Sequence, residues 1–179
     1  MKEKAEEYLG EFVYGAIDGT VTTFAVVAAS AGAGLSPIVI IILGFANLIG
    51  DGFSMGASSY LSAKSERDLK LKRNQDSSTE TPLGDGVVTF LSFVIVGFVP
   101  IMVYVADAVF KTGVAKETLF ALSTALAGTV FVAIGLLKAR VTHTGAIRAA
   151  VETLLLGAIA AGLAYGLGYV LESALTNAK

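Results

Sequence analysis

Five long apolar stretches occupy most of this chain, and they limit the folds that it can adopt. They lie near residues 12–33, 38–62, 86–106, 118–138 and 149–171. About 20 apolar residues cross a bilayer as a helix, and within lipid only helices and closed barrels satisfy their own backbone hydrogen bonds. The sequence therefore predicts an all-α polytopic membrane protein with five transmembrane helices in a single domain, residues 1–179.

The composition agrees and excludes several functions. Hydrophobic residues make up 54% of the chain and charged residues 16%, whereas soluble domains average about 25% charged residues. This excludes a soluble enzyme, and we expect neither enzymatic activity nor a cofactor. The net charge of −2 gives no sign of a nucleic-acid partner. The chain has no cysteine and a single histidine, which disfavours thiolate ligands and His-based zinc sites.

The lysines and arginines predict the orientation, because short cytosolic loops carry an excess of these residues. If the N-terminus is cytosolic, ten of the 13 lie on the cytosolic side. The other three, Lys111, Lys116 and Lys179, lie outside. We therefore expect a cytosolic N-terminus and a C-terminus outside. Residues 63–85 are then a short cytosolic linker between the second and third spans.

Asp18 lies inside the first apolar stretch, in "YGAIDGTVTTFAVVA". An ionisable residue within the membrane costs at least about 2.5–3.5 kcal/mol on insertion scales and marks a functional site by default. At 1.5 Å per residue, Asp18 lies roughly 9 Å from the cytosolic end of its span, and Met55 lies roughly 10–11 Å from the end of the second span. Because the two helices are antiparallel, we expect Asp18 and Met55 at the same level.

Polar residues recur on one face of each of these two helices. Spacings of four residues place side chains on a common helical face, and the second helix shows this spacing at Asn47, Asp51, Met55 and Ser59. On the first helix, glutamates at the same spacing approach Asp18 from the cytosolic side, and two threonines follow it. The residues expected along the access path are Asn47, Thr22, Ser59, Glu7, Glu11 and Glu66.

The ligand types indicate a divalent transition metal. Carboxylates alone suit magnesium, calcium or manganese, whereas a thioether biases a site toward softer transition metals. Asp18, Met55 and Asp51 are therefore the predicted metal ligands, with Fe²⁺ as the expected ion and Mn²⁺, Co²⁺ and Zn²⁺ as competitors. The alternative for Met55 is a gap-filling role between helices.

Several other features have simpler interpretations. The N-terminal glutamates suit a solvated interfacial face as well as a metal funnel. His143 is expected in an interfacial loop, and Glu152 is expected to pair with Arg148 at four residues' spacing. Asp85 and Asp107 are assigned to the membrane edges.

Two backbone features are also predicted. Small residues recur at helix-packing spacing in "GAIDG", "GFSMG" and "GLAYG", which favours close approach of helices in lipid. Pro100 in "GFVPIM" predicts a kink in the third span.

The segments "YGAIDGTVTTFAVVAAS", "GFANLIGDGFSMGASSYLSAKSERD", "FVIVGFVPIMVYV" and "THTGAIRAAVETLLLGAIAAGLAYGLGYVL" together resemble the vacuolar iron transporter (VIT) family across all five spans. The resemblance implies a homodimer that exports Fe²⁺ from the cytosol in exchange for protons. It also implies a path at the two-fold axis, lined by the first two helices. By match to the family motif, Asp18 and Met55 are the translocation ligands, with Asp51 nearby.

The chain departs from the family pattern in two places. Many members insert a cytosolic helical domain rich in Glu and Met between the second and third spans, where this chain has about twenty residues. Some members place a glutamate at the position of Asn47, and here Asp51 stands one turn further along. This is a short form without the cytosolic metal-binding domain.

A dimer and proton coupling also have a physical rationale. One chain offers three ligands, too few for a six-coordinate ion without water, and an isologous interface doubles the set. Apposed carboxylates in a low dielectric retain protons, and metal binding must displace them.

The sequence thus predicts a divalent-metal transporter that moves Fe²⁺ out of the cytosol by proton antiport. Its expected partners are a second copy, membrane lipid, metal ions and protons. The alternatives are a Mn²⁺-preferring exporter and a non-transporting membrane metal sensor or anchor. The expected location is the cell membrane of a prokaryote, or a vacuolar or other organelle membrane of a eukaryote.

Overall fold

The structure, a computed structural model, describes residues 2–75 and 81–177, and it describes side chains from residue 8 onward apart from Val141. These ranges contain helices and connecting turns and no strand. The helices are α1 (Lys2–Gly32), α2 (Pro37–Lys72), α3 (Pro82–Gly97), α4 (Val99–Phe110), α5 (Lys116–Thr142) and α6 (Ala146–Thr176). The all-α prediction is confirmed.

The helices also have the length and composition of membrane spans. Within the described ranges, α1 from Tyr8 onward, α2, α5 up to Arg140 and α6 each qualify as one crossing. The α3 and α4 helices qualify together as a fifth, with a bend of 52° between them. The prediction of an all-helical integral membrane protein is confirmed, with four helices that qualify alone and five crossings when the bent pair α3 and α4 counts as one span. The side on which each terminus lies stays a prediction.

The bend between α3 and α4 results from Pro100. Proline has no N–H and its ring crowds the preceding turn, so the helix cannot bond back to Val96 at this point. The chain resumes as a helix once the Ile101 N–H donates to the Phe98 carbonyl over 3.1 Å. On α5, the buried Ser123 hydroxyl donates to the Pro100 carbonyl over 2.6 Å, which ties the bend to its neighbour. The predicted kink is confirmed.

Glycines let α3 pack closely against both α1 and α2. A Cβ added at Gly56 would lie 2.8 Å from the Gly86 carbonyl oxygen, and one added at Gly86 would lie 2.6 Å from the Gly56 carbonyl oxygen. On α1, Gly15 and Gly19 meet α3 just as closely, and a Cβ at Gly19 would collide with the Phe93 backbone. The α3 helix therefore forms the back wall of the groove between α1 and α2.

The glycines of "GLAYG" behave differently. Gly162 and Gly166 on α6 have no described neighbour within 4 Å of a Cβ built on them. The close contact of α6 lies instead at Gly168, whose added Cβ would collide with the Ala29 carbonyl oxygen. Close packing at small residues is thus found for two of the three predicted motifs.

The α2 helix extends further than the predicted second span. It continues to Lys72 rather than ending near residue 62, and an i,i+4 ion pair between Glu66 and Lys70, 2.9 Å long, supports the extension. The α3 helix begins at Pro82. The predicted linker over residues 63–85 is therefore helical at both ends.

Candidate metal site between α1 and α2

Two hydrogen-bonded contacts fix how α1 and α2 face each other. The Ser59 hydroxyl donates to Oε2 of Glu11 over 2.9 Å. At the other end of the groove, Nδ2 of Asn47 donates to the Thr22 and Thr23 hydroxyls over 3.2 and 3.1 Å. The face of α2 predicted from Asn47 and Ser59 therefore does point toward α1.

Asp18 and Asp51 lie between these two contacts. Ser59 lies opposite Glu11, and Asn47 lies opposite Thr22. Because the two helices are antiparallel, the positions between these contacts pair in order, which brings Asp18 opposite Asp51. Asp51 also lies within electrostatic range of Asp18. The two carboxylates thus form a facing pair inside the membrane-spanning part of the molecule.

The pairing of α1 with α2 places Met55 one turn away from the level expected from the sequence. Met55 was expected beside Asp18, but the contacts on either side place it one turn nearer the Glu11 end, close to Tyr14. The difference arises because the expected depth was counted from residue 62, whereas α2 has no end there. Asp18, Asp51 and Met55 remain successive positions along one groove.

A cavity of about 350 Å³ opens below the carboxylate pair, at the Glu11 end of the groove. Its polar lining combines carboxylates, hydroxyls and one thioether. The lining residues are Glu11, Tyr14, Met55, Ser58, Ser59, Ser62, Ala63, Glu66 and Asp85. Three of the residues predicted along the path, together with one predicted metal ligand, therefore surround a single cavity.

Residues of α3 complete this cavity, and the sequence interpretation missed them. The Thr89 hydroxyl lies 2.6 Å from Oε2 of Glu11 and 2.9 Å from the Asp85 carbonyl oxygen, so its single proton serves one or both acceptors. Asp85 lies in the first turn of α3, and it is buried and lines the cavity, whereas the sequence interpretation gave it no functional role. The available signal was the polar stripe Asp85, Thr89 and Ser92 on one face of an otherwise apolar helix.

Met55 has two environments. Its side chain is half-buried and packs against the apolar core that includes Leu48 and Phe93, and it also lines the polar cavity. A thioether is polarizable and adapts to both kinds of surroundings. Both interpretations of Met55, as a ligand and as a gap-filler, fit this position.

The described part of one chain does not supply a full metal coordination shell. Among residues 8–75 and 81–177, no group of three or more His, Asp or Glu side chains lies close enough to hold one ion. Asp51 is exposed on the surface of the single chain. A carboxylate at that depth is costly in contact with lipid, so this face of α2 requires a polar or protein neighbour.

The remaining predicted residues lie at the cytosolic end expected for the groove or outside it, at the junction of α5 and α6. Glu66 lines the cavity but also pairs with Lys70. Glu7 lies on α1 outside the residues whose side chains are described. Glu152 accepts a 2.9 Å bond from Nε of Arg148, as predicted. His143 is exposed in the turn after α5, also as predicted.

These features define a polytopic α-helical membrane protein with a carboxylate pair in a groove between its first two spans. Sequence comparison identifies the family. The profile of the VIT family matches residues 9–81 and 69–169, which is most of the chain. The protein belongs to the VIT family.

Relatives with established names agree. A vacuolar iron transporter of Plasmodium falciparum is 25% identical over 96% of this chain and 85% of its own length. Over a shorter region, 36% of this chain and 22% of the relative, identity to a vacuolar iron transporter of Toxoplasma gondii is 42%. Vacuolar iron transporter 1 of Eucalyptus grandis is 35% identical over 44% of this chain and 32% of its own length.

The comparisons also show that this chain is short. The alignment with the Plasmodium falciparum protein covers 232 positions, more than the 179 residues of this chain. The relative therefore carries residues that this chain lacks. The two profile matches meet at residues 69–81, between α2 and α3, where a shorter connection was predicted.

Proposed function

We propose that this protein exports Fe²⁺ from the cytosol in exchange for protons, through the groove between α1 and α2. The feature that carries the proposal is the facing pair Asp18 and Asp51, which lies in the same groove as a polar cavity lined by Met55. Membership of the VIT family and the names of the relatives support iron as the cargo. The chain acts here as a transporter rather than an enzyme.

The proposed orientation places the cavity at the cytosolic surface. The lysine and arginine distribution favours a cytosolic N-terminus, and the cavity lies at the Glu11 end of α1, nearer that terminus. Metal leaving the cytosol would then meet Glu66, Ser62 and Ser59 before Met55 and the carboxylate pair.

The proposed ligands are Asp18, Asp51 and Met55. Two carboxylates bind many divalent ions, and the thioether biases the set toward Fe²⁺, Co²⁺ and Zn²⁺ over Mn²⁺. Because the two carboxylates repel each other in a low dielectric, protons stabilise the metal-free pair. Bound metal replaces those protons, which couples export of the ion to proton movement in the opposite direction.

A homodimer is part of the proposal. The exposed position of Asp51 and the incomplete ligand set of the described chain both favour a second copy on this face of α2. A two-fold axis along the groove would bring the two sets of ligands together. It would also shield Asp51 from lipid.

Reconstituted flux tests the proposal. Purified protein in liposomes that contain a metal-quenched dye and a pH dye should pass Fe²⁺ faster than protein-free liposomes, with protons moving in the opposite direction. Faster passage of Mn²⁺ than of Fe²⁺ would favour the manganese exporter, which the predominance of carboxylate oxygens in the cavity supports. No flux of any divalent ion would contradict transport and leave a sensor or anchor.

A further inference from the structure

A second cavity lies between the end of α5 and the start of α6, away from the groove. Its volume is about 410 Å³, and its lining includes Lys138 and Thr142 of α5 together with Thr144, Arg148 and Glu152. The proposed metal path uses none of these residues. All of the lining residues lie between Lys138 and Glu152, on either side of the turn at His143.

Two cations from different helices converge on this cavity, held by one carboxylate. Nε of Arg148 lies 2.9 Å from Oε1 of Glu152, and Nζ of Lys138 lies 3.8 Å from Oε2. The Arg148 contact uses Nε, and among the described residues its terminal Nη groups have no recorded partner, so four N–H donors remain for a ligand. The lysine contact is longer than a hydrogen bond. The cavity thus has an excess of one positive charge and unused donors.

The two threonine hydroxyls add acceptors beside the cations. Thr142 donates to the Lys138 carbonyl over 2.9 Å, so the 2.8 Å contact between the two hydroxyls requires Thr144 to donate to Thr142. A hydroxyl has one proton. Oγ1 of Thr144 therefore keeps lone pairs that suit a ligand hydroxyl, next to donors that suit a phosphate.

The cavity opens onto an apolar surface of α6. A neighbouring groove of about 660 Å³ shares Arg148 and Glu152 with it and is otherwise lined by residues that include Ile147 and Val151. Ile147 is 82% exposed and Val151 is 48% exposed. On a membrane span, such side chains lie against acyl chains. The charged cavity at the end of the span therefore suits a lipid headgroup, and the apolar groove beside it suits the hydrocarbon tails of the same lipid.

We propose that the cavity between α5 and α6 binds an anionic glycerophospholipid whose headgroup carries hydroxyl groups, such as phosphatidylglycerol. Lys138 and Arg148 hold the phosphate through charge-assisted hydrogen bonds, Thr144 accepts from a headgroup hydroxyl, and the acyl chains lie along Ile147 and Val151. Basic pockets between transmembrane helices bind anionic headgroups in this manner. Only the choice of leaflet depends on the proposed orientation.

Native mass spectrometry of the full chain in detergent tests this site without any metal, so its outcome is separate from that of the flux experiment. Phosphatidylglycerol should remain bound in preference to phosphatidylcholine. In the double variant Lys138→Gln and Arg148→Gln, phosphatidylglycerol retention should fall by roughly tenfold or more, given the contribution of each cation to headgroup attraction. Arg148→Lys in an otherwise unchanged chain should retain most of the binding.

The matched control removes two exposed cations from α2 with Arg67→Gln and Lys72→Gln, and it should bind phosphatidylglycerol like the unchanged chain. Equal retention in the cavity variant and the unchanged chain would overturn the proposal. So would an equal loss in the control, which would mean attraction by net charge alone. Displacement of the lipid by glycerol 3-phosphate as effectively as by phosphatidylglycerol would overturn the assignment to a lipid, since it would leave the acyl chains without a role. Thermal unfolding followed by circular dichroism verifies that each variant is folded.

Discussion

The groove between α1 and α2 has two halves that differ sharply, although the same pair of helices forms both. In the polar half, residues 11–18 and 51–66, carboxylates, hydroxyls and Met55 border a cavity of about 350 Å³. In the apolar half, residues 22–32 and 37–47, the Asn47 amide bridges to Thr22 and Thr23. Beyond that bridge, α2 carries only apolar residues and glycine back to residue 38.

The helix behind the groove accounts for the difference. The polar half rests on α3, which contributes Thr89 and Asp85 and approaches closely at Gly56. The apolar half rests on α4, where an added Cβ at Gly44 would lie 2.7 Å from the Ile101 side chain. The bend of 52° separates the two. The bend at Pro100 in the third span thus places α3 behind the polar half of the groove and α4 behind the apolar half.

The largest expected effect is at the boundary of the two halves, at Asp18. Asp18→Asn keeps the size of the side chain but removes the negative charge, so metal can no longer replace a proton there. Loss of a direct ligand should cost at least as much as loss of an outer partner, which reduces metal affinity or activity about 10–100-fold. Fe²⁺ flux in liposomes should therefore fall by roughly a hundredfold, and proton movement should fall with it.

Asp68→Asn is the control for that variant, since it removes the same charge from an exposed position on the extension of α2. It should transport like the unchanged chain. If Asp18→Asn transports normally while its elution volume and helicity are unchanged, Asp18 has a structural role and the polar half has no functional boundary there.

The second-largest effect is expected when the Asn47 bridge to Thr22 and Thr23 is removed. Asn47→Leu removes two side-chain hydrogen bonds, each worth about 0.5–1.5 kcal/mol, and should therefore favour opening of the apolar half. A cysteine at Ala25, one turn beyond Thr22, reports on that opening, because the chain has no native cysteine. A thiol reagent applied on the side of the membrane that holds the C-terminus should label this cysteine about tenfold faster in Asn47→Leu.

Thr124→Val serves as the comparison, since its hydroxyl bonds only to the backbone of its own helix on the exposed surface of α5, as far as the described residues show. It should leave the labelling rate at residue 25 unchanged. A rate that does not respond to Asn47→Leu would mean that apolar packing, rather than the bridge, closes this half.

Much of the polar half could be predicted from the sequence, because the patterns that indicate it involve residues close to one another in the chain. Spacing of four residues predicted that Asn47 and Ser59 share a face, and both contact α1. Proline chemistry predicted the bend at Pro100. These features depend on neighbours within a few turns, which a single sequence displays directly.

The remainder depended on contacts between distant parts of the chain. Thr89 reaches Glu11, and Asp85 lines the same cavity, because glycines bring α3 close to both other helices. The small-residue spacing predicted close packing but did not identify α3 as the partner of both helices. The level of Met55 was displaced by one turn because α2 continues to Lys72 and offers no end from which to count. The role of Asp18, Asp51 and Met55 as ligands stays a prediction.

A smaller effect is expected at Met55, and it concerns which metal passes. Met55→Leu keeps an apolar side chain against the core cluster but removes the sulfur, so Fe²⁺, Co²⁺ and Zn²⁺ should lose more flux than Mn²⁺. Met55→Ser supplies a hard oxygen, which should retain Mn²⁺ best. The Fe²⁺-to-Mn²⁺ flux ratio, measured on one preparation, should fall about fivefold in each variant. An unchanged ratio in both would assign Met55 to packing between the helices.

The smallest expected effect tests whether α3 contributes to the polar half. Thr89→Val preserves the shape of a buried side chain but removes the hydroxyl that lies 2.6 Å from Glu11, while Ser59 continues to hold the same carboxylate oxygen. The apparent KM for Fe²⁺ should therefore rise about threefold with little change in the maximal rate, since a single bond to a charged group is lost and one remains.

Thr89→Ser keeps the hydroxyl and should keep the KM of the unchanged chain. Thr153→Val on α6 removes an equally buried hydroxyl that bonds to its own helix, and it should leave the KM unchanged. An equal rise in both valine variants would mean that α3 supports the groove by packing alone and that its polar stripe does not act on Glu11.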